Sequence, residues 1–230
     1  IKETLDLFIQ EDGSILGYDL KKQNLDFINN GKLLFMLYEK TGEEKYKLAL
    51  DLLFSQLKTQ PRTPEGGFWH KAIYPEQMWL DGIYMGDPFY AEYLLTFNKG
   101  EGLKDVIKQF QLCYDNTVDE KTGLLYHAFD AKKVQEWADP KTGHAPNFWG
   151  RAMGWYMMAL VDTMELLENT SEEFKTLSTI FKKLYPALKN VQDEKSHVWY
   201  QVLDQGQRHG NYLEASCSSM FVYAFSKALT

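Results

Sequence analysis

One phrase recurs along this chain and limits what it can fold into more than any other feature. It reads EDGSILGYDL from Glu11, PEGGFWHKAI from Pro64, EKTGLLYHAF from Glu120 and EKSHVWYQVL from Glu194. Each copy is an acidic turn, usually with glycine, then apolar or aromatic residues, then a polar side chain. The starts at 11, 64, 120 and 194 give intervals of 53, 56 and 74 residues. Between the copies, apolar residues fall at three-and-four spacing over 31–42, 43–59, 101–118, 147–169, 171–190 and 211–229, which predicts amphipathic helices. Ser171, with Glu173 and Phe174 after it, reads as a capped helix start. Strand-like alternation is scarce. A period of this size with two helices per unit predicts repeated αα-hairpins.

Such hairpins either stack into an open solenoid or curl into a ring whose loops converge at one end. The recurring loops carry His70, His127 and Gln201 just after aromatic residues, the composition of a shared polar pocket, so the ring is expected. Six hairpins of about 55 residues would need roughly 330 residues. This chain of 230 holds about four, so it is read as one all-α toroid domain over 1–230 that lacks one or more terminal hairpins.

Two carboxylates stand one repeat apart. Asp26, in QNLDFINNGKLL, precedes the helix that starts near Gly31, and Asp81, in QMWLDGIYMGD, holds the same relation to the next repeat 55 residues on. Neighbouring repeats can present them side by side, and paired acids push each other's pKa apart, so one can keep a proton near neutral pH. Burial against Trp79 and Trp155 would strengthen that. The alternative is a pair of helix-start acids, favoured by capping and the helix dipole.

A second dense segment, EWADPKTGHAPNFWGRAMGWYMMALVD, runs from Glu136 to Asp162. Asn147 is expected to cap its helix, with Trp149, Arg151 and Trp155 in the first turns. Arginine beside aromatic walls suits a forked hold on a carboxylate; a structural salt bridge is the alternative. His70, Lys71 and His127 could donate to substrate oxygens, or the histidines could be core residues bonded to backbone. His144 and His197 are expected to be exposed. Arg208, His209 and Tyr212 sit at a loop-to-helix junction facing the expected pocket. Scattered His and Asp without metal-ligand spacing argue against a metal site, and no nucleophile elbow, phosphate loop or dinucleotide glycine pattern occurs.

Composition closes off other classes. A net charge of −7 is wrong for a nucleic-acid binder. Aromatics at 15% suit stacking on sugar rings and a helical core equally. Cys113 and Cys217 are too far apart to suggest a disulfide framework, and Cys113 reads as a small buried hydrophobe. No apolar run approaches the roughly 18 residues of a membrane span. No leader is visible, although Ile1 is not an initiator Met, and a cytoplasmic location is expected; the oligomeric state stays open.

The segments GGFWHKAIYPEQMWLDGIYMGDPFYAEY, LLYHAFD, WADPKTGHAPNFWGRAMGWYMMALVD and YLEASCSSMFVYA resemble unsaturated rhamnogalacturonyl hydrolases of glycoside hydrolase family 105, kin to the unsaturated glucuronyl hydrolases of family 88. The resemblance implies an (α/α)6 barrel, no cofactor, and an unsaturated oligosaccharide substrate left by a polysaccharide lyase on pectin. It implies hydration of the C4=C5 double bond of the terminal sugar acid. Asp81 matches the acid/base and Asp26 the second aspartate. His70, His127, Trp149, Arg151 and Trp155 match positions that hold the sugar or its carboxylate, and Lys71 and His209 join them as expected binding residues. The same chemistry on unsaturated glucuronyl ends, or a non-catalytic sugar-binding toroid, are the competing expectations.

Overall fold

The computed structural model describes residues 1–229. Eight helices run α1 Lys2–Leu5, α2 Lys32–Thr41, α3 Glu44–Thr59, α4 Leu80–Phe97, α5 Leu103–Asp115, α6 Gly150–Glu165, α7 Glu172–Asn190 and α8 Ala215–Lys227. Two three-residue strands, β1 Gln77–Trp79 and β2 Ala128–Asp130, pair antiparallel with Trp79 opposite Ala128.

The helices form two layers. α2, α4, α6 and α8 make one, with α4 packed on α6 and α6 on α8; α3, α5 and α7 back it, each beside the helix it follows. Sequence dictates which layer each joins. α5 buries the stripe Val106, Gln109, Phe110 and Cys113, the seam of a helix with one wet face. α6 buries most of its length, Ala152, Met153, Tyr156, Met157 and Leu160 among others, because it is covered by α4, α7 and α8. Gly154 lets α6 and α8 close up, since a Cβ there would stand 2.6 Å from the Met220 sulfur.

The recurring phrase closes a short turn four times, its ends four residues apart in the first two copies and five in the last two. The amides of Gln10, Thr63, Asp119 and Asp193 donate to the carbonyls of Ser14, Gly67, Leu124 and Val198 at 2.9, 2.8, 2.8 and 2.9 Å. Ser171 caps α7 as expected, its hydroxyl accepting from the Phe174 amide at 3.1 Å, and Cys113 is fully buried. Among the described residues no helix is long and apolar enough to cross a membrane.

Three local expectations need correction. Asn147 does not cap α6: Trp149 precedes the helix without a side-chain cap, and the Asn147 amide oxygen lies 3.4 Å from Gln205 and from Arg208. α8 starts at Ala215 rather than near Asn211, because Leu213 bridges to Tyr200 and the Glu214 amide donates to the Trp199 carbonyl. His144 is only half exposed, its ring stacked on Tyr126 at 4.6 Å; His197 is exposed as expected.

Candidate active site

The polar residues gather where the first-layer helices begin, and one backbone contact repeated between hairpins puts them there. The Leu25 amide donates to the His70 carbonyl at 3.1 Å, the Leu80 amide to that of His127 at 3.1 Å, and the Gly150 amide to that of Gln201 at 2.8 Å. Each loop thus docks onto the start of the preceding repeat. The residues following those three amides are Asp26, Asp81 and Arg151. They occupy one structural position in three successive repeats, and each has the docking loop of the next repeat beside it.

Asp26 sits in a short 3-10 turn, Leu25–Phe27, whose start is capped by the Asn24 side chain. Its carboxylate meets His70 Nε2 at 3.3 Å and Lys71 Nζ at 2.7 Å. Burial pushes the Asp26 carboxyl up, but the hydrogen bonds from His70 and Lys71 outweigh it and hold the group at about 2. It is an anion throughout the neutral range.

Asp81 is in the opposite condition. It lies in the first turn of α4, and its Oδ2 is buried with no hydrogen-bond partner. Burial raises its pKa; the field of His70 works downward, that of Asp26 upward and that of Arg151 downward. Desolvation of the charged form wins. The two carboxyls are therefore shifted in opposite directions, with His70 between them: it bonds Asp26, and its Nδ1 lies 2.9 Å from where a Cβ on Gly82 would be. Only glycine after Asp81 leaves room for that ring.

Aromatic rings pack around His70 and His127. Trp79 stacks on His70 at 4.7 Å and 4° and on Tyr74 at 5.1 Å. His127 stands edge-on to Trp79 at 6.3 Å and to Trp149 at 5.9 Å, with Trp137 at 6.5 Å. Burial lowers the His127 pKa, and its Nδ1 has no partner, so it enters the site as a neutral imidazole. The Arg151 guanidinium lies over the Trp149 ring, 4.3 Å from its centroid. Trp155, one turn along α6, packs on Tyr84 at 4.7 Å.

Of the expected site residues, Asp26, Asp81, His70, Lys71, His127, Trp149, Arg151 and Trp155 fall in this region. His209 does not join them: it is exposed, and its side chain makes no hydrogen bond, ion pair or ring contact among the described residues. The loop-to-helix junction is instead represented by Glu214, just 7% exposed, which forms an ion pair with Arg151 Nη1. The alternative reading of the arginine, a structural salt bridge, is present: one guanidinium nitrogen is engaged by Glu214. A single Glu in YLEAS carries no signal of this, because its partner is 63 residues away. Trp79, Tyr74 and Trp137 complete the walls. Among the described residues no three His, Cys, Asp or Glu side chains cluster as metal ligands.

Comparison with known proteins points one way. The family model described as Glycosyl Hydrolase Family 88 matches residues 1–230. A family 105 glycoside hydrolase from C. acetobutylicum ATCC 824 superposes with a TM-score of 0.97 at 52% identity, covering 99% of this chain and 63% of that one. The unsaturated rhamnogalacturonyl hydrolase YesR of Bacillus subtilis is 28% identical over 202 residues, 85% of this chain and 56% of YesR. Protein Atu3128 of Agrobacterium fabrum is 36% identical over 144 residues, 63% of this chain and 60% of that protein. The chain thus spans about 60% of the length of the relatives it matches, and its two-layered hairpins are part of the helical barrel of this group.

Proposed function

The chain belongs to Glycosyl Hydrolase Family 88, and from that premise and the geometry of the site we propose that the protein carrying it removes a 4,5-unsaturated galacturonate from the non-reducing end of lyase-made rhamnogalacturonan oligosaccharides. Asp81 gives its proton to C4 of the double bond. Positive charge develops at C5 and the ring oxygen, and the Asp26 carboxylate is available to stabilise it. Water adds at C5 and loses its proton to Asp81, which regains its acid form. The hemiketal opens, and the sugar acid departs as a keto acid. Arg151, held over Trp149, faces the substrate carboxylate, while His70 and neutral His127 border the ring hydroxyls.

The observation that carries this reading is the contrast between the two aspartates, one desolvated with an unpartnered oxygen and one ion-paired. A group that protonates carbon is helped by a pKa raised toward neutral pH, and of the pair only Asp81 is shifted upward. Similarity to YesR favours the galacturonyl-rhamnose substrate.

The test is direct. Unsaturated rhamnogalacturonan disaccharide is incubated with the full-length protein, and the enol-ether ultraviolet band is followed. Loss of the band is expected, with Asp81→Asn slower by ~10²–10⁴-fold. An unchanged band, or an Asp81→Asn variant as fast as the parent, would contradict the assignment.

A further inference from the structure

The residues that immediately precede α4, α6 and α8 are Trp79, Trp149 and Glu214. Two repeats place an indole at the lip of the site, and the third places a buried acid there. Its backbone is fixed: the amide donates to the Trp199 carbonyl at 2.8 Å, and the carbonyl accepts from the Ser218 hydroxyl at 2.7 Å. Its Oε1 accepts from Arg151 Nη1, and its Oε2 is buried without a partner. Arg151 is thereby clamped between the Trp149 face and a carboxylate on a different helix.

We propose that Glu214 is a positioning residue of this site, holding the Arg151 guanidinium over Trp149 and offsetting its charge toward the Asp81 carboxyl. The inference rests on the hydrolase function proposed above. Both cations of the site are matched by an acid before substrate arrives, Lys71 by Asp26 and Arg151 by Glu214. The groups around Asp81 are Asp26 from the 3-10 turn, His70 and Lys71 from the loop before β1, His127 beside β2, Cys113 on α5 and Arg151 on α6. Glu214 stands behind Arg151. With Glu214 neutral, Arg151 would act on the site as an unbalanced cation. It would attract the substrate carboxylate more strongly and favour loss of the proton that the reaction needs. Binding and turnover would then change in opposite senses, which a merely structural prop cannot produce.

The experiment measures kcat and KM against pH for the full-length parent, Glu214→Gln and Glu214→Asp on the unsaturated disaccharide, with thermal melting to check folding. For Glu214→Gln a lower KM, a kcat reduced ~10-fold and an alkaline limb of kcat/KM moved down by about one pH unit are expected. Glu214→Asp keeps its charge one methylene farther back and is expected to shift kcat and the limb in the same directions by less. If Glu214→Gln does not fold, Glu214→Asp decides. An active parent with a variant whose alkaline limb coincides with it, or whose KM rises with the limb unmoved, overturns this inference alone. A parent that leaves the ultraviolet band intact overturns the functional reading and this inference with it.

Discussion

Ionising Asp81 would leave a largely buried anion in the field of Asp26, with one oxygen lacking any partner. Burial of that kind raises a carboxyl's pKa; at Asp26, which is less buried, the hydrogen bonds from His70 and Lys71 override it. The donor in the reaction is the acid form, so kcat/KM is expected to fall as pH rises through the Asp81 pKa, while Asp26, held at about 2, stays charged across the whole profile. Removing that negative charge makes ionisation of Asp81 easier. Asp26→Asn is therefore expected to move the alkaline limb to lower pH as well as slow the reaction, measured as kcat/KM against pH; a limb that stayed put or moved upward would contradict the coupling. The two aspartates were legible in the sequence because one repeat length separates them. Glu214 was not, since its ion pair with Arg151 spans 63 residues and leaves no local spacing to read.

At the scale of elements, α4 carries Pro88 in its interior. Proline has no N–H, so the Tyr84 carbonyl one turn back loses its helical donor. Lys32, the first residue of α2, replaces it: its ammonium donates to that carbonyl at 2.9 Å and lies 3.6 Å from the centroid of the Tyr84 ring. Burial lowers the Lys32 pKa to about 8. A base whose folded pKa is depressed costs stability while it is charged, so its contribution improves as pH rises from about 8 toward the unfolded value of 10.5. Lys32→Met is expected to destabilise by ~1–3 kcal/mol by orphaning the carbonyl. Pro88→Ala supplies an N–H in the same place, so in that background Lys32→Met is expected to cost less. Denaturant midpoints of the four proteins check this, and strictly additive effects would refute it. Helix existence was legible for α2, α3 and α5 to α8, where apolar periodicity runs over ten or more residues. Helix starts at 147 and 211 were misplaced because Asn147 and Leu213 found partners in neighbouring loops, which local capping preference does not register.

Over the whole molecule, the hairpins α2/α3, α4/α5 and α6/α7, with α8 after them, put the starts of α2, α4, α6 and α8 at one end, and the candidate site lies at that end. The repeat period foretold this convergence, since the loops that carry His70 and His127 are also the loops that close each turn. What the period could not convey is which neighbour each loop serves: every loop docks on the preceding repeat, so the pocket is shared between hairpins and no single one holds it. Apolar side chains are exposed on both flanks, with Leu7, Phe8, Leu16 and Leu33 on one and Val222 and Tyr223 on the other. The chain covers 63% of the family 105 hydrolase it superposes on, so the proposed activity is tested on the full-length protein. The most direct test of an acid at residue 81 that hydrates a double bond is to run the reaction of that protein in deuterated water and examine the released sugar acid by NMR. A single deuterium at C4 of a saturated keto acid is expected, absent when Asp81 is asparagine. Release of a sugar that keeps its C4=C5 bond, with no deuterium at C4, would contradict the account.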